Sequence, residues 1–200
     1  MQYLKDDVRE KILSSALIEF REHGYEVASM RGIASKAGIA LGSTYRYFKN
    51  KEALFSALIE PVYSKIVKYL NNMQAEIDGN PCNASEDSVA YINEIYNKII
   101  ELVDEYSAEV VIIFNKSEGS KYENVRQEFV VMVNNILDKA FQEEILKEET
   151  NKIILNIFSH TIVDAVTLML KENSNYTNRK LLLDRLLSLY VKDLPDRLIT

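Results

Sequence analysis

The sequence has few of the residues that stabilise proteins covalently or through metals. Its single cysteine, Cys82, cannot form a disulfide within the chain. The two histidines, His23 and His160, have no clustered thiols beside them, so a zinc site is not indicated. There is also no glycine-rich phosphate loop and no nucleophile with an adjacent base. We therefore expect no metal, no cofactor and no catalytic residue.

Long apolar runs are missing as well. The amino terminus reads MQYLKDDVRE and lacks the apolar region of a signal peptide. The longest purely aliphatic or aromatic runs, such as residues 110–114 and 129–133, are far shorter than the roughly 18 to 20 residues of a membrane span. These absences predict a cytoplasmic protein with no membrane partner.

Acidic residues dominate the sequence, but not everywhere. The formal net charge of the chain is -6, of which residues 1–52 carry +2 and the remainder -8. Between Val27 and Lys51 there are five basic residues and no acidic one. A local positive patch on an acidic protein indicates a surface that meets a polyanion such as DNA, which the acidic remainder would repel.

Residues 29–52, SMRGIASKAGIALGSTYRYFKNKE, have the pattern of two short helices joined by a tight turn. Ser29 can cap the first helix. The apolar residues of that helix recur at helical spacing: Met30, Ile33, Ala34 and Ala37. Gly38 stands where a helix ends in the left-handed conformation, and Ile39 can then point back into the core. Residues 41–48 have few long apolar side chains and many hydrogen-bond donors, which suits a DNA groove better than a protein core.

This segment and its flanks resemble the TetR family of bacterial transcriptional regulators. The matching residue types stand at fixed offsets over roughly a quarter of the chain. They are Arg9, Ile12, Leu13, Ala16, Phe20, Gly24, Tyr25, Met30, Ile33, Ala34, Ala37, Gly38, Ile39, Gly42, Tyr45, Tyr47, Phe48, Lys51, Glu52 and Leu54. Two positions depart from the pattern, because Ala28 and Ala40 stand where the family often has hydroxyl residues. These departures affect local capping and one phosphate contact.

The resemblance implies an all-α fold. It divides into a helix-turn-helix DNA-binding domain over residues 1–52 and an effector-binding and dimerisation domain over residues 53–200, with about nine helices in total. The apolar spacing and the helix-breaking residues place helices over about 7–23, 30–37, 40–48, 51 onward, 85–106, 110–115, 122–147, 150–172 and 177–193. Pro61 lies inside the fourth of these and predicts a kink, either a plain bend or a hinge.

The resemblance also implies how the DNA-binding domain contacts its operator. Base edges are contacted by Arg31, Leu41, Ser43 and Arg46. Phosphates are held by Tyr45, Tyr47 and Lys51. Gly42 lets the backbone approach the DNA, and Thr44 points into the three-helix core.

For the rest of the chain the resemblance implies a homodimer that binds a small-molecule effector and is released from operator DNA by it. Candidate effector-binding residues are Tyr63, Tyr91, Tyr96, Tyr106, Phe114, Phe129, Met132 and His160. Their aromatic character favours a largely apolar compound, although most of them also suit a plain hydrophobic core. The dimer interface is predicted on the last two helices and is represented by Ile162 and Leu186.

Two other interpretations remain open at the level of sequence. A regulator of this kind can answer to a protein partner instead of a small molecule. Alternatively, an all-helical enzyme could use His160 and Asp164, which stand four residues apart on one helix face, for acid-base chemistry.

Overall fold

The computed structural model describes residues 2–79, 97–98, 101, 105–140, 148–171, 181–182 and 185. Every element in these ranges is a helix, which confirms the all-α fold class. The elements are α1 (Gln2–Val27), α2 (Met30–Ala37), α3 (Leu41–Tyr47), α4 (Lys51–Gly79), α5 (Ser107–Asn115), α6 (Val125–Ala140) and α7 (Glu149–Lys171). The predicted helices over about 85–106 and 177–193 lie almost entirely outside the described residues. None of the described helices combines the length and the apolar character needed to cross a bilayer.

The first helix starts earlier than the sequence predicted. Asp7 was expected at its amino-terminal end, but α1 begins at Gln2 and Asp7 is an exposed residue within it. Residues 2–6 contain neither proline nor glycine, so nothing stops the helix from extending backwards. At the other end Gly24 has φ 76° and ψ 167°, a conformation open only to glycine, and it interrupts the helix where the sequence predicted an end.

The chain divides into two compact units. Unit 1 consists of Met1–Ser64 and Tyr106–Val125, and unit 2 consists of Lys65–Glu105 and Arg126–Thr200. Unit 1 therefore contains α5 in addition to the predicted DNA-binding helices. The predicted boundary between residues 52 and 53 separates two expected functions, whereas the units are defined by how compactly the chain packs. The predicted boundary therefore stays a prediction.

The core of unit 1 is built from the apolar face of α1 and the helices that pack on it. Its buried members include Ile12, Ala16, Phe20, Ile33, Phe48, Leu54 and Phe55. Ala37 and Ile39, which the sequence also placed in this core, are only half-buried. An aromatic cluster continues the core, with neighbouring ring centroids 4.8 to 6.1 Å apart. Its members are Phe20, Tyr25, Phe55, Tyr63 and Tyr122.

The segment between α5 and α6, residues 116–124, forms a corner that ties unit 1 together. Ser117 Oγ donates to the carbonyl of Ile113 at 2.7 Å, and the Lys116 carbonyl accepts from the Tyr25 amide at 2.8 Å. Tyr122 is buried, and its hydroxyl donates to Glu60 Oε2 of α4 at 2.5 Å. The corner thus holds the end of α1 and the middle of α4 at once.

Unit 2 includes α6, α7 and the later part of α4. Each of these helices contributes one buried apolar face. The buried apolar residues are Ile66, Leu70, Met73 and Ile77 of α4, Phe129, Val130, Val133, Ile136 and Leu137 of α6, and Leu155, Phe158, Val163 and Val166 of α7. Polar contacts join α6 to α7, since Arg126 pairs with Asp164 and Ser159 Oγ donates to Asn134 Oδ1 at 3.3 Å.

Candidate nucleic-acid interface

Helix α2 has both predicted caps. Ser29 is its N-cap, and the Ser29 Oγ accepts a hydrogen bond from the Gly32 amide at 3.0 Å. Gly38 is its C-cap in the left-handed conformation, with φ 65° and ψ 31°. The Ile39 amide then donates to the Ala34 carbonyl at 3.0 Å and satisfies one of the free carbonyls at the helix end. These interactions fix the angle at which the chain turns from α2 into α3.

Helix α3 is short and is anchored by one buried side chain. Its N-cap, Ala40, makes no side-chain cap hydrogen bond, as expected for a residue without a hydroxyl. Thr44 is fully buried, which confirms that it points into the core. Beyond α3, the Asn50 Oδ1 accepts from the Ala53 amide at 2.7 Å and caps α4. Helix α3 is therefore anchored through Thr44, while most of its other side chains are at least partly accessible.

The predicted DNA-contacting residues of α2 and α3 lie on accessible surface. Arg31, Gly42, Tyr45 and Arg46 are exposed. Leu41, Ser43 and Tyr47 are half-buried. Among the described residues, no atom outside the adjoining helix backbone and the two chain neighbours lies within 4 Å of the position where a side chain at Gly42 would begin, so the backbone here can approach a ligand closely. This accessibility fits a surface that binds a partner.

The positive charge on this surface is smaller than the sequence count suggests. Arg31, Arg46 and Lys49 are exposed, and no described acidic residue lies within ion-pairing distance of them. Lys36 instead pairs with Glu22 at 2.6 Å and with Glu19 at 3.6 Å. Its hydrogen bond to Glu22 raises the pKa of Lys36 and lowers the pKa of the Glu22 carboxyl.

Lys51 also has partners within the protein. Its Nζ donates to the carbonyls of Tyr25, Glu26 and Ala28 at 2.6, 3.0 and 3.1 Å. The same nitrogen lies 4.4 Å from the centroid of the Tyr25 ring. Burial, assisted by a hydrogen bond with Glu52, raises the pKa of Tyr25 to about 12, so the ring is neutral at physiological pH.

The candidate effector-binding residues fall in both units. Tyr63, Tyr106 and Phe114 belong to unit 1 and are half-buried. In unit 2, Phe129 is buried, and Met132 and His160 are half-buried. Tyr91 and Tyr96 lie outside the described residues.

The described part of unit 2 contains a groove of about 580 Å³. None of the predicted effector residues lines it; its walls are Asn134 and Asp138 of α6 and Glu149, Lys152, Ile153, Asn156 and Ile157 of α7. Burial raises the pKa of the Asp138 carboxyl.

The predicted dimer helix has its own exposed apolar residues. They are Ile153, Ile154, Ile157 and Leu168 of α7. Ile162 on the same helix is only half-buried; it stands four residues after the buried Phe158 and four residues before the buried Val166. Leu186 lies outside the described residues. Asp164, which the enzyme hypothesis paired with His160, is instead engaged by the Arg126 guanidinium, with the Arg126 Nε donating at 3.1 Å.

Known proteins share this arrangement of helices. Residues 12–58, which span α1 to the start of α4, match the model of the bacterial regulatory proteins of the tetR family. Over these residues the chain carries the DNA-binding domain of the TetR family. The Tn10 TetC protein of Escherichia coli is 28% identical over 166 residues, which cover 80% of both chains. The protein is accordingly a DNA-binding transcriptional regulator.

Solved structures of regulators have the same fold as this protein. The MbdR regulator of Azoarcus sp. CIB superposes with a TM-score of 0.62 at 20% identity, covering 88% of this chain and 95% of the MbdR chain. SmeT, solved as a complex with triclosan, gives a TM-score of 0.58 at 21% identity, covering 94% of each chain.

Several residues that shape this surface are not apparent from the sequence. Glu19 is buried beneath α2, and a side chain at Gly32 would collide with the Glu19 carboxylate. The contact of Glu60 with Tyr122 joins residues 62 positions apart. No local sequence pattern reveals such pairs. Glu19 does stand beside the apolar residues of α1, and because a buried carboxylate needs a polar partner, its position is a signal that such a partner exists.

Proposed function

We propose that this TetR-family regulator is a dimeric repressor that leaves its operator when a small, largely apolar effector binds. The proposal of DNA binding rests on the surface of the α2–α3 pair. It presents exposed polar and basic side chains on an accessible surface, while Thr44 and the two caps of α2 hold the pair rigid. A rigid, accessible helix with short polar side chains is what the major groove accommodates.

In this proposal the residues of the surface divide into two roles. Ser43, Arg46, Leu41 and Arg31 face base edges and set sequence preference, because side chains of this kind read the major groove directly. Tyr45 and Tyr47 hold phosphates and set position, and Gly42 allows close approach of the backbone. Exposure of Arg31, Tyr45 and Arg46 supports these assignments.

The proposed dimer uses α7. Its exposed residues Ile153, Ile154, Ile157 and Leu168 form an apolar stripe that a monomer would leave in water. Full burial of a large aliphatic side chain contributes roughly 1.5 to 3 kcal/mol. These four side chains are 37% to 60% exposed, so covering them with a second copy contributes about half of that for each and favours association. Ile162, the residue of this helix that the sequence placed in the interface, stays a prediction.

The proposed effector is small and largely apolar. Half-buried aromatic residues of unit 1, or Met132 and His160 of unit 2, supply candidate contacts, and the triclosan complex of SmeT is a precedent within the fold. Effector and operator compete through α4, because this helix follows directly on α3 and extends to Gly79. Such linkage requires the operator to weaken effector binding by the same factor by which the effector weakens operator binding, typically 1 to 3 kcal/mol. Control by a protein partner is the alternative.

The proposal is tested in two steps. Selection of duplexes from a random library with the purified protein should recover a pseudo-palindrome, since a two-fold dimer reads two half-sites. A thermal-shift screen of small molecules should then find a stabilising compound, and calorimetry of that compound with and without the selected duplex should give different affinities. Equal affinities would refute the competition, and failure to select any duplex would refute the DNA-binding assignment of the surface.

The same calorimetry can assign a role to Pro61. If the proline localises a bend in α4, Pro61→Ala should reduce the difference between the two affinities while leaving the DNA-contacting residues in place. An unchanged difference would mean that Pro61 is incidental to coupling.

A further inference from the structure

The ammonium group of Lys51 lies in a site made by the turn between α1 and α2. Three carbonyl oxygens, from Tyr25, Glu26 and Ala28, converge on its Nζ at 2.6 to 3.1 Å. A lysine ammonium has three hydrogens to donate, so these three bonds use its full capacity. The Tyr25 ring, 4.4 Å away, adds a cation–π contact.

The position of Lys51 in the chain gives this site a consequence for the DNA-binding surface. Ala28 immediately precedes Ser29, the N-cap of α2, and Lys51 is the first residue of α4, four residues after α3 ends at Tyr47. The bond from Lys51 to Ala28 therefore joins the two ends of the helix-turn-helix. It fixes where α3 ends relative to where α2 begins.

We propose that Lys51 is a positioning residue that closes the helix-turn-helix, and that it acts on DNA through the placement of α3 and not through a phosphate. This inference builds on the DNA-binding function but replaces the phosphate contact that the family resemblance implied for Lys51. The converging carbonyls select for lysine, because the planar guanidinium of arginine spreads its donors over several nitrogens and cannot place three of them on one point.

Substitution of Lys51 separates the two roles by salt dependence. The probe is a duplex selected with the wild-type protein, and affinity is measured between about 50 and 200 mM salt. Lys51→Met should lower affinity by about ten-fold at every salt concentration, with the slope of log affinity against log salt unchanged. A phosphate contact predicts instead that the slope becomes less negative by about 0.9 per subunit, or about 1.8 per dimer.

Lys49 and an arginine variant serve as matched controls. Lys49→Met, an exposed lysine two residues away, should reduce the slope by the amount expected for a lost phosphate. Lys51→Arg keeps the charge, so it restores binding if Lys51 holds a phosphate but behaves like Lys51→Met if Lys51 closes the helix-turn-helix. Restored binding in Lys51→Arg, or a reduced slope in Lys51→Met, would overturn the proposal.

Two further measurements test the proposal directly. Loss of the three carbonyl contacts should lower the melting temperature by about 3 to 6 °C in both Lys51→Met and Lys51→Arg, without DNA, while Lys49→Met should leave it unchanged. In nitrogen-15 spectra the Lys51 ammonium signal should be visible in the free protein, because its hydrogens are protected from exchange, and should not move when the duplex is added. Unchanged melting, or scalar coupling from Lys51 Nζ to a DNA phosphorus, would contradict it. Because melting needs no duplex, it tests Lys51 even if the DNA-binding function itself fails.

Discussion

Tyr122→Phe removes one oxygen atom from the corner that joins α1 and α4. The Tyr122 hydroxyl donates to Glu60 Oε2 at 2.5 Å, and Glu60 also accepts from Lys121 Nζ at 3.1 Å and from Ser64 Oγ at 3.0 Å. The ring itself is buried against Phe55 and should keep its place, since phenylalanine has the same shape. The substitution therefore removes the hydroxyl, with its hydrogen bond to Glu60 and its contacts to Lys121 and Ser56, and leaves the packing of the ring unchanged.

The size of the effect follows from the surroundings of the two partners. A hydrogen bond to a charged group contributes roughly 1.5 to 3 kcal/mol. The Glu60 side chain is 49% exposed, so water can replace part of the lost bond, and we expect the free energy of unfolding to fall by about 1 to 2 kcal/mol at pH 7. For a chain of this length, that corresponds to a melting temperature lower by about 2 to 8 °C.

The pH dependence provides a second signature. The hydrogen bond from Tyr122 lowers the pKa of the Glu60 carboxyl below its usual 4.5. A carboxyl with a lowered pKa in the folded state stabilises the fold above its unfolded pKa, and this contribution is lost as the pH falls through the folded value. The difference between wild type and Tyr122→Phe should therefore be full at pH 7 and should shrink below pH 4.5 toward that of an uncharged hydrogen bond.

Urea unfolding followed by circular dichroism, at pH 7 and at pH 3.5, measures this difference. Tyr45→Phe is the matched control, because Tyr45 is 47% exposed and its hydroxyl can bond to water in both states. Equal stability of Tyr122→Phe and wild type at pH 7 would refute the role given to the corner. A loss that is the same at both pH values would show that Glu60 is not the partner that matters.

Three further predictions concern α2, α6 and α7. Ser29→Ala removes the acceptor of the Gly32 amide and should cost about 1 kcal/mol in urea unfolding, whereas Ser35→Ala within the same helix should not; equal costs would contradict the capping role. Ile157→Asp should give monomers in light scattering, whereas Ile18→Asp, at an equally exposed position of α1, should stay dimeric; a dimeric Ile157→Asp would place the interface elsewhere. Burial raises the pKa of Asp138, so its charge opposes folding as the pH rises through that raised value, and Asp138→Asn should match or exceed wild-type stability at pH 7 by up to about 1 kcal/mol. A variant less stable by more than that amount would show that the Asp138 charge is needed.

What the sequence predicted correctly depends on interactions between near neighbours. The bond from Gly32 to Ser29 spans three residues, and the left-handed turn at Gly38 needs only glycine itself. Such interactions recur wherever the same residue types stand at the same spacing, so a sequence pattern reveals them.

What the sequence could not predict depends on contacts between distant positions. Lys51 meets the α1–α2 turn across 23 to 26 residues, and Tyr122 meets Glu60 across 62. Only the packing of helices determines these partners. Lys51 illustrates the difference well: its residue type and place matched a phosphate contact in the family pattern, but its ammonium is occupied by the carbonyls of its own chain.

The salt dependence of operator binding tests the central claim, that the α2–α3 surface binds DNA, most directly. The exposed cations Arg31, Arg46 and Lys49 number three per subunit. If a dimer brings all of them against the DNA, in the groove or at a phosphate, each displaces condensed counterions, and the slope of log affinity against log salt should be about -5. A slope near -7 would mean that Lys51 contacts a phosphate as well. A slope near zero on a selected duplex would contradict the claim.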